Sequence, residues 1–385
     1  MLKLIKASLF EYDTLEIISE DIYMEMKQHA IVALPAPILS SMIMSVELRK
    51  KWRNSILQIV SYNAQYRYIQ LRLPITVPYV ILKGSAAAMY YPYPEYRTMG
   101  DIDVITRREE FQIACDGLRR NGYNEKKDSH ESNSFRHRCF TKNGFCIEVH
   151  SYFAIFTDIK RSEYLDSLIL DNINSTHYLP DNINGLVLLA HIDQHLEQGI
   201  GLRQIIDWMM FVDKCMPDDK WPDFSYLAEK IGLKKLAIVV TRMCELFLGL
   251  PERKWCAEAD QKLCKQLMNY ILSCGNFGNK KSIDNVNGQN VFSFFRSPIL
   301  FLKLLQKRGI INWKLVQKYP ILTPLAWAYQ MGRYLFKGFG RNEASKLLLS
   351  EFTASRERKK LCDSLGATQA SKGIVVYKNG KYVKE

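Results

Sequence analysis

Val77-Pro78-Tyr79-Val80-Ile81-Leu82-Lys83-Gly84-Ser85-Ala86-Ala87-Ala88 opens the region that decides the fold, and Gly100-Asp101-Ile102-Asp103-Val104-Ile105 and Phe145-Cys146-Ile147-Glu148-Val149-His150 complete it. Short apolar runs rich in β-branched residues read as buried strands. The first passes straight from Lys83-Gly84-Ser85 into an alanine-rich helix. Asp101 and Asp103 stand two apart on the second strand, so both carboxylates leave the same face. Glu148 lies between Ile147 and Val149 on a later strand. If those two strands pair, three carboxylates converge, and such a cluster is strongly repulsive unless cations neutralise it. Oxygen-only ligands select hard divalent ions, Mg²⁺ or Mn²⁺, which are commonly shared with substrate phosphates. At Gly84 and Ser85 a phosphate can approach the backbone closely and accept from a hydroxyl and from free helix amides. Lys83 and Arg97 are the neighbouring cations suited to a phosphate chain. The two halves together are the equipment of phosphoryl or nucleotidyl transfer.

Outward from this region the texture is helical. Residues 1–75 read as an N-terminal helical segment broken at Pro35 and Pro37, with a long helix expected from Ile38 to about Leu73 and ended by Pro74 and Pro78. Arg107–Asn121 has an amphipathic pattern closed by Gly122. Phe135–Phe140 and Phe145–His150 flank Asn143-Gly144, a strong hairpin signal. Helices are expected at 183–198, 201–216, 223–231, 234–248, 258–273, 291–306 and 312–336, with a Gly/Asn-rich connection over 274–290. Ile374–Val383 reads as a second Asn-Gly hairpin. The expected organisation is therefore an α+β protein in four parts: an N-terminal helical segment over 1–75, a small mixed sheet over 76–160, a larger helical domain over 180–350 that completes the substrate cleft, and a hairpin tail over 365–385.

The Gly-Ser turn, the Asp-x-Asp strand and the later Ile147-Glu148-Val149-His150, with Tyr91-Pro92 and Arg97 between them, resemble the polymerase-beta-like nucleotidyltransferase superfamily. Within it the pattern is most similar to an uncharacterised bacterial group of nucleotidyltransferase family proteins. The close match covers about residues 77–155, with a weaker echo at His191, His195 and Leu202–Trp208. The resemblance implies that Asp101, Asp103 and Glu148 hold two divalent metals and that Gly84 and Ser85 hold a nucleoside triphosphate. It also implies a transferase that moves a nucleoside monophosphate to an acceptor hydroxyl, with release of pyrophosphate. The acceptor expected is a small molecule, a protein side chain or an RNA end, with the first two ranked above RNA because no RNA-binding module accompanies the core. Sixteen residues separate Gly84 from Asp101, a longer loop than the minimal superfamily pattern, and this Tyr/Pro insert is expected to cover the site.

Three histidines stand beside this set. His150 shares the face of Glu148, where it can reach the metal site or serve as a satisfied structural residue. His191 and His195, at i and i+4, share one helix face and are expected to line the cleft opposite the sheet. The zinc-protease pattern is absent around them. Arg203 and Asp207, also i and i+4, read as a surface or interhelical ion pair.

Composition bounds the rest. The chain has 385 residues, 47% of them hydrophobic and 24% charged, which excludes a mainly disordered polymer. The net charge of +13 is uneven: residues 252–385 hold 24 basic and 9 acidic side chains, whereas the first 251 hold 29 and 31. A basic last third fits an anionic partner, so the alternative is a non-catalytic, partner-binding protein acting on nucleic acid or an anionic membrane. Nine cysteines without a CxxC pair read as reduced thiols. No apolar run is long enough to span a bilayer and the N-terminus lacks a signal-peptide core, so a cytoplasmic protein is expected.

Overall fold

A computed structural model describes residues 1–10, 17–126, 136–153, 156–173, 176–197, 199–275, 356–367 and most of 375–384, with isolated positions at 322 and 325. The helices expected at 291–306 and 312–336, most of the 274–290 connection and most of the basic last third lie outside these residues. Residues 1–280 with 364–385 form one compact unit, and 281–363 form a second. Everything below concerns the first.

The strands are β1 (Tyr79–Leu82), β2 (Ile102–Thr106), β3 (Asn124–Glu125), β4 (His137–Lys142) and β5 (Phe145–His150), joined in one mixed sheet of order β1-β2-β5-β4-β3. β1 and β2 are antiparallel, β2 and β5 parallel, and β4 and β5 form the expected hairpin. Its Asn143-Gly144 turn has positive φ at both residues (52° and 84°), the conformation that matches strand twist and that Asn-Gly adopts at least cost. The helices of this unit are α1 (Leu2–Phe10), α2 (Glu20–Gln28), α3 (Val46–Gln70), α4 (Gly84–Ala88), α5 (Phe111–Arg120), α6 (Ile159–Asp171), α7 (Asp181–Leu196), α8 (Leu202–Cys215), α9 (Trp221–Lys230), α10 (Lys234–Leu248) and α11 (Gln261–Cys274). The protein is α+β, as the sequence reading has it.

Two boundaries differ from that reading. The long N-terminal helix starts at Val46 instead of Ile38, because Ser45 caps it: its hydroxyl accepts from the Leu48 amide at 3.1 Å. The periodicity before it continues only as a short 3₁₀ turn, Ala36–Ile38. α6 has no counterpart in the sequence reading. Asp158 caps it, and its buried face carries Ser162 and Asp166 beside Leu165 and Ile169, which blurs the apolar period.

The sheet has two unlike faces. Ile102, Val104, Ile147 and Val149 point to one side and form a core with Phe111, Ala114, Cys115 and Leu118 of α5 and Tyr66 of α3. Asp101, Asp103, Glu148 and His150 occupy the opposite face, by strand alternation. α7 crosses that second face, anchored where Asn184 donates to the Ala86 carbonyl in α4 (3.3 Å) and to the Tyr90 hydroxyl just beyond it (2.8 Å). The C-terminal hairpin, β6 (Val375–Lys378) and β7 (Lys381–Lys384), docks on the same unit. The Val375 amide donates to the Phe156 carbonyl, the Tyr382 hydroxyl donates to Asp166, and Arg108 stacks 4.0 Å over the Tyr377 ring. A two-stranded hairpin is marginal by itself, and these contacts supply what it lacks. Among the described residues no helix is long and apolar enough to cross a membrane.

The approach of α5 to the chain before β1 is set by Gly117, where a Cβ would meet the Pro74 carbonyl oxygen at 2.3 Å. That neighbour is backbone and has little freedom to move aside. Gly117→Ala gains about 1 kcal/mol of helix propensity, which the clash outweighs. A net loss of about 1–3 kcal/mol is expected in urea denaturation, and unchanged stability would show that the packing is looser than described.

Candidate active site

Strand register gathers the site. Asp103 lies directly between Leu82 of β1 and Glu148 of β5, and His150 pairs with Ile105 of β2 on one side and His137 of β4 on the other. Asp101 sits in the bend that enters β2. A cavity of about 250 Å³ opens over this face, lined from the sheet side by Lys83, Gly84, Asp101, Asp103, Glu148 and His150. His191, Gln194 and His195 of α7 line the opposite wall, and Arg97, Gly100, Arg136, His137 and Arg203 complete the lining.

The carboxylates are unequal. Lys83 Nζ stands 2.8 Å from Asp103 Oδ1, and His150 Nε2 stands 2.9 Å from the same oxygen. Burial pushes the Asp103 carboxyl up, but the Lys83 ammonium and the His150 hydrogen bond outweigh it and hold the group well below the usual carboxylate range. Glu148 is also lowered, first by its contact with His150 Nε2 at 3.6 Å, against burial and the charge of Asp103. Asp101 goes the other way, up to about 6, because the Asp103 charge and then burial disfavour its ionised form. Lys83 is lowered by burial but raised more by Asp103 and Asp101, and its net shift is upward. Across the cavity, burial and then the charge of Lys83 keep the imidazoles neutral: His191 falls well below its ordinary value and His195 to about 4.

Lys83 reaches Asp103 from an unusual backbone. It precedes α4 with φ 53° and ψ −136°, a conformation that non-glycine residues rarely hold unless their surroundings enforce it. The pair with the buried Asp103 is such a constraint.

Each residue singled out from sequence has a definite place. Asp101, Asp103, Glu148, Gly84, Lys83, Arg97, His150, His191 and His195 share the cavity. Ser85 does not: its hydroxyl donates to Gln70 Oε1 at 2.6 Å, and Gln70 in turn donates to the Tyr178 hydroxyl, so Ser85 ties α4 to α3. Arg97 is buried and already gripped, donating through Nε and Nη2 to Asp207 at 2.9 and 2.6 Å. The Tyr91 hydroxyl donates to the same carboxylate at 2.7 Å. The partner of Asp207 is therefore a loop residue over 100 positions away, where i,i+4 spacing had pointed to Arg203.

Sequence reasoning missed the residues that hold the loop before Asp101. Asn63 of α3 donates to the Glu95 and Arg97 carbonyls (2.7 and 2.8 Å) and accepts from the Met99 amide (3.2 Å). Tyr66 donates to the Gly100 carbonyl at 2.6 Å, and Arg203 of α8 donates to the Thr98 carbonyl at 3.2 Å. Polar residues on an otherwise ordinary helix carry no local signal of such a role. Gln194 of α7 was missed for the same reason, and Arg136 and His137, at the entry to β4, are likewise polar residues without a local signal.

The donor set suits a divalent cation. One donor atom from each of Asp103, Glu148 and His150 lies within 4.8 Å of the others, and the raised Asp101 carboxyl marks an excess of negative charge that a cation would relieve.

A comparison with known families gives the class. The family described as uncharacterised nucleotidyltransferase matches residues 19–249, a span that contains the sheet, the cavity and α7 and α8. The chain belongs to that family. No curated protein and no solved structure matches it.

The electrostatic asymmetry has a measurable sign. An acid whose pKa is higher in the folded than in the unfolded state binds more protons when folded, so its contribution falls as pH rises from about 4 through about 6. Asp101→Asn is therefore expected to stabilise the metal-free protein at pH 8 by about 1–3 kcal/mol and to leave it nearly unchanged at pH 4. Urea denaturation in chelator at the two pH values checks this, and an equal effect at both would remove Asp101 as the strained carboxylate.

The Asp207 clamp gives a second expectation. Arg97→Ala leaves a buried carboxylate without its bidentate partner, and a loss of about 3–5 kcal/mol is expected. Arg97→Ala/Asp207→Ala should recover part of that loss in the same denaturation assay.

Proposed function

We propose that the protein transfers a nucleoside monophosphate from a nucleoside triphosphate to an acceptor hydroxyl on a small molecule or a protein, with release of pyrophosphate. The observation that carries this reading is the register of β2 against β5, which sets Asp103 beside Glu148 and, with Asp101, aims three carboxylates into the cavity that Gly84 also borders. Family membership supports nucleotidyl transfer as the class of chemistry.

Asp101, Asp103 and Glu148 would hold the divalent metal, Mg²⁺ or Mn²⁺. When bound, that ion would supply charge neutralisation on the phosphates and acidify the acceptor hydroxyl. The acceptor oxygen forms a new bond to the α-phosphorus as the bond from that phosphorus to the bridging oxygen of pyrophosphate breaks. Glu148 takes the acceptor proton and passes it to solvent. Lys83, with its ammonium already inside the cavity, is placed to bind the phosphates. Arg97 supports the wall from its clamp on Asp207, and the phosphate role expected of Ser85 passes to the backbone at Gly84. The neutral imidazoles of His191 and His195 face the substrate as hydrogen-bonding groups without adding charge. The cytoplasm supplies the triphosphate and the ion that this reaction requires.

The test incubates the purified chain and Mg²⁺ or Mn²⁺ with each α-³²P-labelled triphosphate and a cell extract, then follows label in acceptor and free pyrophosphate. Transfer is expected with the wild type and should fall by at least about a hundredfold in Asp101→Asn or Asp103→Asn. Transfer that survives both substitutions would overturn the reading.

A further inference from the structure

His150 occupies the cavity in a way the proposed reaction leaves unused. It stands on β5 two residues beyond Glu148, on the same face, and is only 3% exposed. Its Nε2 lies 2.9 Å from Asp103 Oδ1 and 3.6 Å from Glu148 Oε2. Two ligand atoms each about 2.1–2.2 Å from one ion stand about 3.0 Å apart at a right angle and about 3.5 Å apart at the tetrahedral angle. The two observed separations fall close to those edges, so His150 Nε2 stands to each carboxylate as neighbouring ligands of one ion stand to each other.

The two ring nitrogens stand in unlike surroundings. Nδ1 is buried and has no hydrogen-bond partner among the described residues. A buried imidazole kept for packing is ordinarily satisfied at both nitrogens, and an orphaned one calls for a reason. Here the polar contacts of the ring are concentrated at Nε2, the atom turned toward the two carboxylates. Imidazole is a borderline donor that suits first-row transition ions, whereas Mg²⁺ keeps to oxygen ligands and retains its waters.

We propose, on the divalent-cation reading given above, that His150 Nε2 is a direct nitrogen ligand of the cation. With Asp103 and Glu148 it forms a mixed carboxylate–imidazole set that favours Mn²⁺ over Mg²⁺. His137, whose ring centroid is 5.1 Å from that of His150, and His191 and His195 on the opposite wall are the imidazoles from which it must be told apart.

The experiment reads the metal's own neighbours. Mn²⁺ is titrated into the full chain, with and without inorganic tripolyphosphate, and free ion is followed by electron paramagnetic resonance. Electron spin-echo envelope modulation is then recorded on the bound ion. The wild type should show the ¹⁴N modulation of a bound imidazole, changing to the ¹⁵N pattern when the protein is made with ¹⁵N-histidine. This comparison needs no substitution to fold. The modulation should vanish in His150→Gln and persist in His137→Gln, His191→Gln and His195→Gln. His150→Gln should also weaken Mn²⁺ binding by about tenfold or more, and Mg²⁺ binding measured by competition by less than about threefold.

Bound Mn²⁺ without histidine-nitrogen coupling in the labelled wild type would overturn the nitrogen ligand and leave the carboxylate site standing. Coupling that survives His150→Gln would assign the nitrogen elsewhere and overturn it equally. No saturable Mn²⁺ binding under either condition would overturn both this proposal and the divalent-cation reading beneath it.

Discussion

Mutual repulsion among Asp101, Asp103 and Glu148 is the constraint on which the site is built. Three carboxylates on one face of a small sheet, under a layer of helices, are tolerated because cationic and hydrogen-bonding groups are folded in with them. Lys83 and His150 converge on one oxygen of Asp103, which holds that carboxylate ionised and leaves Asp101 to carry the unrelieved charge. One acid is driven well down and its neighbour up to about 6 within one cavity, an excess of negative charge that a bound cation would relieve. The backbone of Lys83 belongs to the same arrangement. Its positive φ is a local cost that persists because the ammonium at the end of the side chain is needed where it is.

The sheet's two faces explain how so small a core supports such a concentration of charge. Ile102, Val104, Ile147 and Val149 alternate with the acids along β2 and β5 and lock both strands onto α5. A slip of one residue in either strand would bury the acids in that core and expose the aliphatic side chains to the cavity, so the register that assembles the site is the one that hydrophobic burial already enforces. Stability and the geometry of the candidate site therefore rest on the same alternation.

This alternation is also why the site was legible from sequence and much of its surroundings was not. The period of two in Gly100–Ile105 and Phe145–His150, and the Asn-Gly turn between β4 and β5, are local patterns, and the sheet, its hairpin and the convergence of Asp101, Asp103 and Glu148 follow from them. What fails to follow is anything settled by long-range polar pairing. Ser85 reads as a phosphate ligand from its place after a glycine, yet its hydroxyl is taken by Gln70, fifteen residues earlier on another helix. Asp207 reads as the i+4 partner of Arg203, yet its ion pair crosses to Arg97. α6 was hidden because its inward face mixes Asp166 and Ser162 with leucine and isoleucine, and the carboxylate there is met by groups far off in sequence, the Phe153 amide, Arg108 and the C-terminal Tyr382.

These long-range pairs change what the helices mean for the site. The loop that delivers Asp101 is held from one side by Asn63 and Tyr66 of α3 and from the other by Arg203 and Asp207 of α8, through hydrogen bonds to nearly consecutive backbone or side-chain groups from Glu95 to Gly100. A loop of that length, unpinned, would sample many conformations, and each would place the Asp101 carboxylate differently against Asp103. Two helices far apart in sequence remove that freedom before any substrate arrives, which is the preorganisation that a charge-dependent reaction requires. α7 closes the other wall with imidazoles that burial keeps neutral, so it adds hydrogen-bonding capacity opposite the acids without compensating their charge. The family match over residues 19–249 contains this whole arrangement, the strands that hold the acids together with the flanking helices that fix where Asp101 points.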